Sequence, residues 1–120
     1  MKKFDLENRL IDFAADIITF CKSLDESYAS KHLSQQLIRS GTAPALHYGE
    51  AQSAESHKDF IHKMKLALKE LRESLVNLKI IERSRLSNNN EMLLKLKDEC
   101  NQLISIFVKS IQTAQSNRNS

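Results

Sequence analysis

Apolar residues recur every three or four positions along most of the chain, in four successive blocks. This interval matches the 3.6-residue turn of an α-helix, so each block describes the apolar side of an amphipathic helix. The pattern predicts helices over residues 5–23, 27–52, 54–84 and 90–114. The predicted core positions, block by block, are Leu6, Leu10, Phe13, Ile17, Cys21 and Leu24; Leu33, Leu37, Gly41, Pro44, Tyr48 and Ala51; Phe60, Met64, Ala67, Leu71, Leu75 and Leu78; and Met92 or Leu93, Leu96, Cys100, Leu103, Phe107 and Ile111.

The order and spacing of these blocks indicate the fold class. No segment alternates apolar and polar residues with the period of two that is typical of a half-buried β-strand. The connections are short, and short connections make consecutive helices antiparallel neighbours. We therefore predict an all-α protein, an antiparallel up-down-up-down four-helix bundle. A single domain covers residues 1–116, and a frayed polar tail covers residues 117–120.

Polar residues between the blocks include the types that begin helices. Ser53 and Ser56 can cap the third helix, and Asp59 completes an approximate capping box with Ser56. The segment 84–90, Ser-Arg-Leu-Ser-Asn-Asn-Asn, is the clearest loop, and its asparagines can cap the fourth helix.

Both glycines and the single proline of the chain lie between Gly41 and Gly49, inside the predicted second helix. Pro44 has no amide hydrogen and presses on the carbonyl of Ser40, at a cost of about 3 kcal/mol, so we predict a kink there. Gly41, Ala45 and Gly49 form a strip of small residues beside the core face. We interpret the strip as a close-packing site within the bundle. The alternative is that its exposed backbone contacts a ligand or another subunit.

Composition excludes several classes of protein. The chain of 120 residues is 41% hydrophobic and 28% charged, which is typical of a globular domain. Its longest apolar runs are far shorter than the roughly 20 residues of a transmembrane helix, and no signal-peptide core follows the start, so we predict a cytoplasmic protein. Cys21 and Cys100 lack a CxxC spacing, and we expect both to be buried, reduced thiols.

The predicted third helix carries a line of positive charge. Its cations recur every seven residues, with two more beside them, and together they share one side of the helix: Lys58, Lys65, Arg72 and Lys79, then Lys69 and Arg83. Carboxylates such as Glu70 and Glu73 lie on a separate flank. The segment 55–85 has eight Lys or Arg and five Asp or Glu, so it alone accounts for the net charge of +3 of the chain.

Three interpretations of this basic stripe remain open. Charge runs on bundles are usually solvated faces. A second possibility is subunit pairing, in which the basic stripe of one copy meets an acidic flank of the next. The third is binding to a nucleic-acid backbone, with a charge that a ring of subunits would multiply. No aromatic side chain lies among the cations, so any such binding favours the backbone over the base sequence.

Apolar residues that point away from the core favour an oligomer. These candidate interface positions lie on the second and third helices, and on the third helix they are close to the basic stripe. They are Ala43, Leu46, Leu66, Val76 and Ile80.

Catalysis has little support in the sequence. The four histidines are never four residues apart, so the HxxxH pair of helical zinc sites is absent. Glu70 and Glu73 are expected to face solvent, and Ser40 has no neighbouring base. We expect Arg39 and Glu50 to form ion pairs between helices or subunits. The sequence therefore predicts no enzymatic activity, metal, cofactor or small-molecule substrate.

Three stretches carry a resemblance to a known family. They are Gln36-Leu-Ile-Arg-Ser-Gly-Thr-Ala-Pro-Ala-Leu-His-Tyr-Gly-Glu-Ala51, Ser56-His-Lys-Asp-Phe-Ile-His-Lys-Met-Lys65 and Leu68-Lys-Glu-Leu-Arg-Glu73. Together they resemble the four-helix bundle proteins called 23S rRNA-intervening-sequence proteins, and the resemblance extends over essentially the whole chain. After Glu73, Ser-Leu-Val-Asn-Leu stands where that family usually has Tyr-Trp.

The resemblance implies a small bacterial bundle that assembles as a cyclic homo-oligomer, commonly a pentamer, with no assigned activity in most members. Some members are encoded inside insertions in ribosomal RNA genes, and a distantly similar bundle is a nucleic-acid-binding subunit of diversity-generating retroelements. We therefore predict a non-enzymatic oligomer that binds RNA or DNA backbone through the third helix. The alternative is a protein-interaction scaffold that does not bind nucleic acid.

Overall fold

The computed structural model describes residues 5–118, which form four α-helices. Helix α1 spans Leu6–Cys21, α2 spans Tyr28–Gln52, α3 spans His57–Ser84 and α4 spans Asn90–Arg118. The prediction of an all-α four-helix bundle is confirmed. Helix α4 includes residues 117 and 118, which the sequence pattern had placed in the tail, whereas residues 119 and 120 lie outside the described residues. None of the described helices is long and apolar enough to cross a membrane.

Polar side chains begin all four helices in the same way. In each case a side-chain oxygen accepts a hydrogen bond from the main-chain N–H of the residue three positions later, with N···O distances of 3.0–3.1 Å. The capping residues are Asp5, Ser27, Ser56 and Asn89. The cap at Ser56 agrees with the sequence analysis, but Ser53 ends α2 instead of beginning α3.

Most of the predicted core positions are buried, with a few exceptions. Leu93, and not Met92, takes the first core position of α4. Three large apolar side chains of the described core were missing from the predicted core: Phe20, Ile61 and Ile81. Several predicted core residues are only half-buried at its edge: Cys21, Leu24, Leu33, Tyr48, Phe60 and Leu75.

Each helix packs against the helices before and after it, and α1 also packs against α4. The contacts between α2 and α3 run in opposite sequence order. Along α2 and α3, Arg39 lies beside Glu73 whereas Glu50, further on, lies near Lys63. No Cα atom of α1 lies within 8 Å of one in α3. Helices α1 and α3 therefore lie across the bundle from each other.

Helix α2 continues through Pro44, which is buried. The kink at this residue stays a prediction. A Cβ atom on Gly41 would lie 3.0 Å from both γ-carbons of Ile17 in α1, so the two helices approach closely there. Ala45 is half-buried against the core. At Gly49, no described atom outside its own helix backbone lies within 4 Å of an added Cβ. Within the strip of small residues, close contact is therefore found at Gly41 and not at Gly49.

Candidate nucleic-acid interface

The outer side of α3 carries the six cations singled out from the sequence. All six are exposed, and none forms an ion pair within 4.0 Å with another described residue. They are Lys58, Lys65, Lys69, Arg72, Lys79 and Arg83. We call this surface the α3 face. Because its charges have no counter-ion among the described residues, they are available to an external anion.

The carboxylates of α3 are each only partly exposed, and one of them, Glu73, lines the same groove as cations of the α3 face. Arg39 of α2 contacts Glu70 at 2.9 Å and Glu73 at 2.7 Å. On the other side of α3, Lys97 of α4 contacts Glu82 at 2.6 Å. Two cations of neighbouring helices, Arg39 and Lys97, therefore pair with three of the four α3 carboxylates, and none of these ion pairs uses a cation of the α3 face.

The ion pairs between α2 and α3 also shift the pKa values of the groups involved. The hydrogen bond from Arg39 is the main reason why the pKa of Glu73 lies below its usual value, and the charge of Lys69 acts weakly in the same direction. The two carboxylates in turn raise the pKa of Arg39. Arg39 was predicted to pair between helices, and this is the pairing that the structure contains. Both partners point towards α2, where the Glu70 side chain is largely buried whereas the Glu73 side chain remains 38% exposed.

A shallow groove of about 760 Å³ runs along α3 beside α2. Three cations of the α3 face line it, namely Lys65, Lys69 and Arg72. Val76 and Ile80 line it too, with 56% and 43% of their surface exposed. The candidate nucleic-acid residues and two of the candidate interface residues therefore share one surface. The sequence analysis had placed these residues close to the basic stripe, and the structure shows that Val76 and Ile80 line the same groove as three of its cations.

The remaining candidate interface residues lie elsewhere. Leu46 on α2 is 69% exposed, whereas Ala43 and Leu66 are half-buried. Two exposed residues of α1 were absent from the predicted interface, Ile11 and Ile18, at 47% and 41% exposure. They are seven residues apart and lie outside the apolar stripe of α1. This spacing could have identified them as a second, outward-facing apolar pair from the sequence.

Polar groups that could suggest catalysis have structural partners. The buried hydroxyl of Ser40 accepts a hydrogen bond from the Ser74 hydroxyl at 2.9 Å. His47 lies 3.0 Å from Glu50, and the Nε2 atom of His57 lies 2.7 Å from the carbonyl oxygen of Ala114. Between residues 5 and 118, no three His, Cys, Asp or Glu side chains converge as a metal site would require.

Comparisons with known proteins agree with this architecture. The chain is similar to a crystal structure of a protein of unknown function from the S23 ribosomal protein family of Bacteroides thetaiotaomicron. The two share 26% sequence identity with a TM-score of 0.81, over 89% of this chain and 98% of the other. No curated protein matches the chain. The family model of the 23S rRNA-intervening sequence protein matches residues 2–109. Because that match covers most of its length, the chain belongs to the 23S rRNA-intervening sequence protein family.

Proposed function

We propose that this protein binds the phosphate backbone of nucleic acid through the α3 face and has no enzymatic activity. The observation that carries the proposal is the set of six exposed cations without ion pairs among the described residues. Lysine and arginine contacts to phosphates release condensed counterions, so such a face supplies affinity that falls steeply with salt. The cytoplasmic, bacterial setting and the pentamer remain parts of this proposal.

The length of the α3 face fits a nucleic-acid strand. From Lys58 to Lys79 the helix rises about 30 Å, close to one turn of duplex. Cations seven residues apart are separated by about 10 Å along the helix. They can therefore contact phosphates at intervals along one strand. The exposed side chains of the face include no aromatic ring to stack on bases, which favours recognition of the backbone.

The choice of first probe comes from the comparisons. The family description refers to 23S rRNA, and the similar structure is assigned to a ribosomal protein family. We therefore propose fragments of ribosomal RNA as the first ligand to test, with duplex DNA of equal length beside them. Equal binding of both would support recognition of phosphates alone.

The test is a fluorescence-anisotropy titration of labelled RNA and DNA at about 50 and about 200 mM salt. The variant Lys65→Gln/Lys69→Gln/Arg72→Gln removes three cations from the face. We expect affinity to fall by a factor of about ten or more. The salt slope should be smaller by about one for each phosphate that the variant no longer neutralises.

The matched control removes the same charge elsewhere. Lys31→Gln/Lys95→Gln/Lys109→Gln changes three exposed lysines on α2 and α4. We expect this variant to retain most of the affinity. An equal loss in both variants would show that only net charge matters, and no binding by the wild type at low salt would refute the proposal.

The second candidate function is a protein-interaction scaffold. Val76 and Ile80 favour it, because phosphate contacts do not require two exposed aliphatic side chains in the groove. The variant Val76→Gln/Ile80→Gln separates the two functions. It retains every cation, so it should bind nucleic acid as the wild type does while losing a protein partner.

A further inference from the structure

We propose that the groove along α3 beside α2 binds an extended acidic peptide segment of another protein, and that Asn77 pairs with the main chain of that segment. This site goes beyond the proposed binding of phosphates and does not depend on it. It gives the second candidate function a partner of defined chemistry. The segment has carboxylates at one end, aliphatic side chains at the other and an unpaired main-chain amide between them.

Asn77 is an almost fully buried polar residue of the groove. It is only 7% exposed, yet its side chain forms no hydrogen bond with any other described residue. Among the described residues, no fully buried side-chain nitrogen or oxygen atom is unpaired, so the polar atoms of Asn77 must reach solvent through the groove. A largely buried amide without a partner is costly, and a ligand that pairs with it removes this penalty.

The stability of the bundle does not explain an asparagine at this position. Asparagine is a weaker helix former than leucine, and Asn77 lies inside α3 beside the buried Leu78 and Ile81. An aliphatic side chain would need no hydrogen-bond partner there. Residues that lower stability in this way are typical of binding sites.

The amide of Asn77 matches the main chain of an extended peptide. It offers an acceptor oxygen and donor hydrogens side by side. In an extended chain, the N–H and C=O of one residue point to the same side and can pair with both groups at once. A helical ligand satisfies most of its main chain internally and would leave Asn77 unpaired. Asn77 therefore favours an extended partner over a helical one.

The two ends of the groove differ in chemistry. Lys65, Lys69 and Arg72 line its first part, and Val76 and Ile80 line its last part, one to two turns further along α3. Four cations and one carboxylate line the groove as a whole, and the carboxylate already pairs with a cation of α2. The charge therefore favours an acidic ligand, whereas the last part favours aliphatic side chains.

The length of the groove defines the length of the peptide. From Lys65 to Ile80, α3 rises about 22 Å, which about seven residues of extended chain can span. Asn77 lies about 18 Å along this line, close to the aliphatic end. The peptide unit that pairs with Asn77 is therefore next to the aliphatic side chains of the ligand and several residues away from its carboxylates.

The test is an anisotropy titration of labelled peptides of about seven residues at low salt. One probe is Asp-Glu-Asp-Gly-Ser-Leu-Val, and a second has the reverse order, because either chain direction suits the groove. Both ends of each peptide are blocked. One control peptide has Asn and Gln in place of the carboxylates. The other control has Ser in place of Leu and Val.

Two variants test the contact of Asn77. Asn77→Leu removes the amide and keeps the volume, whereas Asn77→Ala removes it without added bulk. Asn101→Leu is the matched control, since Asn101 is an exposed asparagine on α4. In urea unfolding, Asn77→Leu should be at least as stable as the wild type, so that weaker binding does not reflect loss of the fold.

We expect one of the two probes to bind the wild type at least about tenfold more tightly than either of its control peptides. Both Asn77 variants should bind that probe about fivefold more weakly, whereas Asn101→Leu should bind it as the wild type does. Three results would each overturn the proposal: no saturable binding of either probe, equal binding of the peptide that lacks aliphatic side chains, or full affinity in both Asn77 variants.

A short oligonucleotide with the same charge as the probe is the last ligand to test. If it binds and loses affinity in the Asn77 variants while neither peptide binds, the groove belongs to nucleic acid and the peptide proposal fails. The titration with ribosomal RNA decides the proposed function separately, and there the Asn77 variants should behave as the wild type does. A wild type that binds the peptide but no RNA would refute the proposed function and support the peptide site.

Discussion

The side chain of Ile17 in α1 occupies the space into which a Cβ atom on Gly41 of α2 would project. That Cβ atom would lie 3.0 Å from both γ-carbons of Ile17 and 3.3 Å from its β-carbon. Both residues are buried. Because Ile17 is β-branched and surrounded by the core, it cannot turn away without a change of rotamer. Gly41 is therefore required by packing, although it lies in the middle of a helix.

Gly41→Ala should reduce the free energy of unfolding. Overpacking in a core costs about 1–3 kcal/mol, and the better helix propensity of alanine returns up to about 1 kcal/mol. We expect a net loss of about 1 kcal/mol, measured from urea-unfolding midpoints.

Gly49→Ala is the matched control within the same helix. Since no described atom outside the helix backbone lies within 4 Å of an added Cβ, only the propensity effect applies. We expect a gain of about 0.5–1 kcal/mol. Equal effects of the two substitutions would contradict the packing argument at Gly41.

The buried hydroxyl pair between α2 and α3 provides a second prediction. Ser74 donates to Ser40 at 2.9 Å, and both residues are fully buried. Ser74→Ala removes a hydrogen-bond partner of Ser40 and should cost about 1–2 kcal/mol. Ser40→Ala/Ser74→Ala should cost less than the sum of the two single changes, because both single changes break the same hydrogen bond and leave the other hydroxyl with only a main-chain carbonyl of its own helix. Additive losses in chemical unfolding would show that the two hydroxyls are not coupled.

The ion pair of Arg39 predicts a specific response to acid. The pKa of Glu73 is below its ordinary value of 4.5 in the folded protein, chiefly because Arg39 donates to it. The ion pair between Arg39 and Glu73 therefore stabilises the folded protein above pH 4.5, and this stabilisation is lost as pH falls through the lower pKa that Glu73 has in the folded state.

Arg39→Gln should be less stable than the wild type at neutral pH, and the difference should shrink in acid. Urea-unfolding midpoints over a range of pH measure it. Lys31→Gln is the control, since Lys31 is an exposed cation of the same helix and forms no ion pair with another described residue. A difference for Arg39→Gln that stays constant with pH would rule out the contribution of Glu73.

The two thiols should differ in reactivity. Burial raises the pKa of Cys100 to about 12, and its thiol donates to the carbonyl of Leu71 at 3.2 Å. Cys21 is only half-buried, although burial raises its pKa as well. In the native protein a thiol reagent should therefore modify Cys21 first, and Cys100 at a rate limited by unfolding. Mass spectrometry of the peptides measures both rates, and similar native rates would contradict the burial of Cys100.

The sequence predicted the fold and the α3 face well because both depend on one helical period. A residue seven positions from Lys65 must lie on nearly the same side of the helix, whatever surrounds that helix. The identity of neighbours could not be predicted this way. Arg39 was expected to pair between helices, but its choice of Glu70 and Glu73 depends on how α2 and α3 pack.

Local spacing also could not predict which residue is buried where two residues fit the same helical period. Phe20 and Cys21 follow Ile17 by three and four positions, and the larger side chain occupies the core. Gly41 and Gly49 looked equivalent, yet the crossing of α1 brings a neighbour to only one of them. Ile11 was overlooked because single exposed aliphatic residues are common on protein surfaces.

The separation of charge between α1 and α3 has a kinetic consequence. Residues 5–26 contain six carboxylates and two cations, whereas α3, across the bundle, contains seven cations and four carboxylates. This distribution gives the molecule an electric dipole across its width. A polyanion that approaches by diffusion rotates such a molecule before contact, so more encounters begin with α3 foremost. Screening by salt would then slow association more than it speeds dissociation.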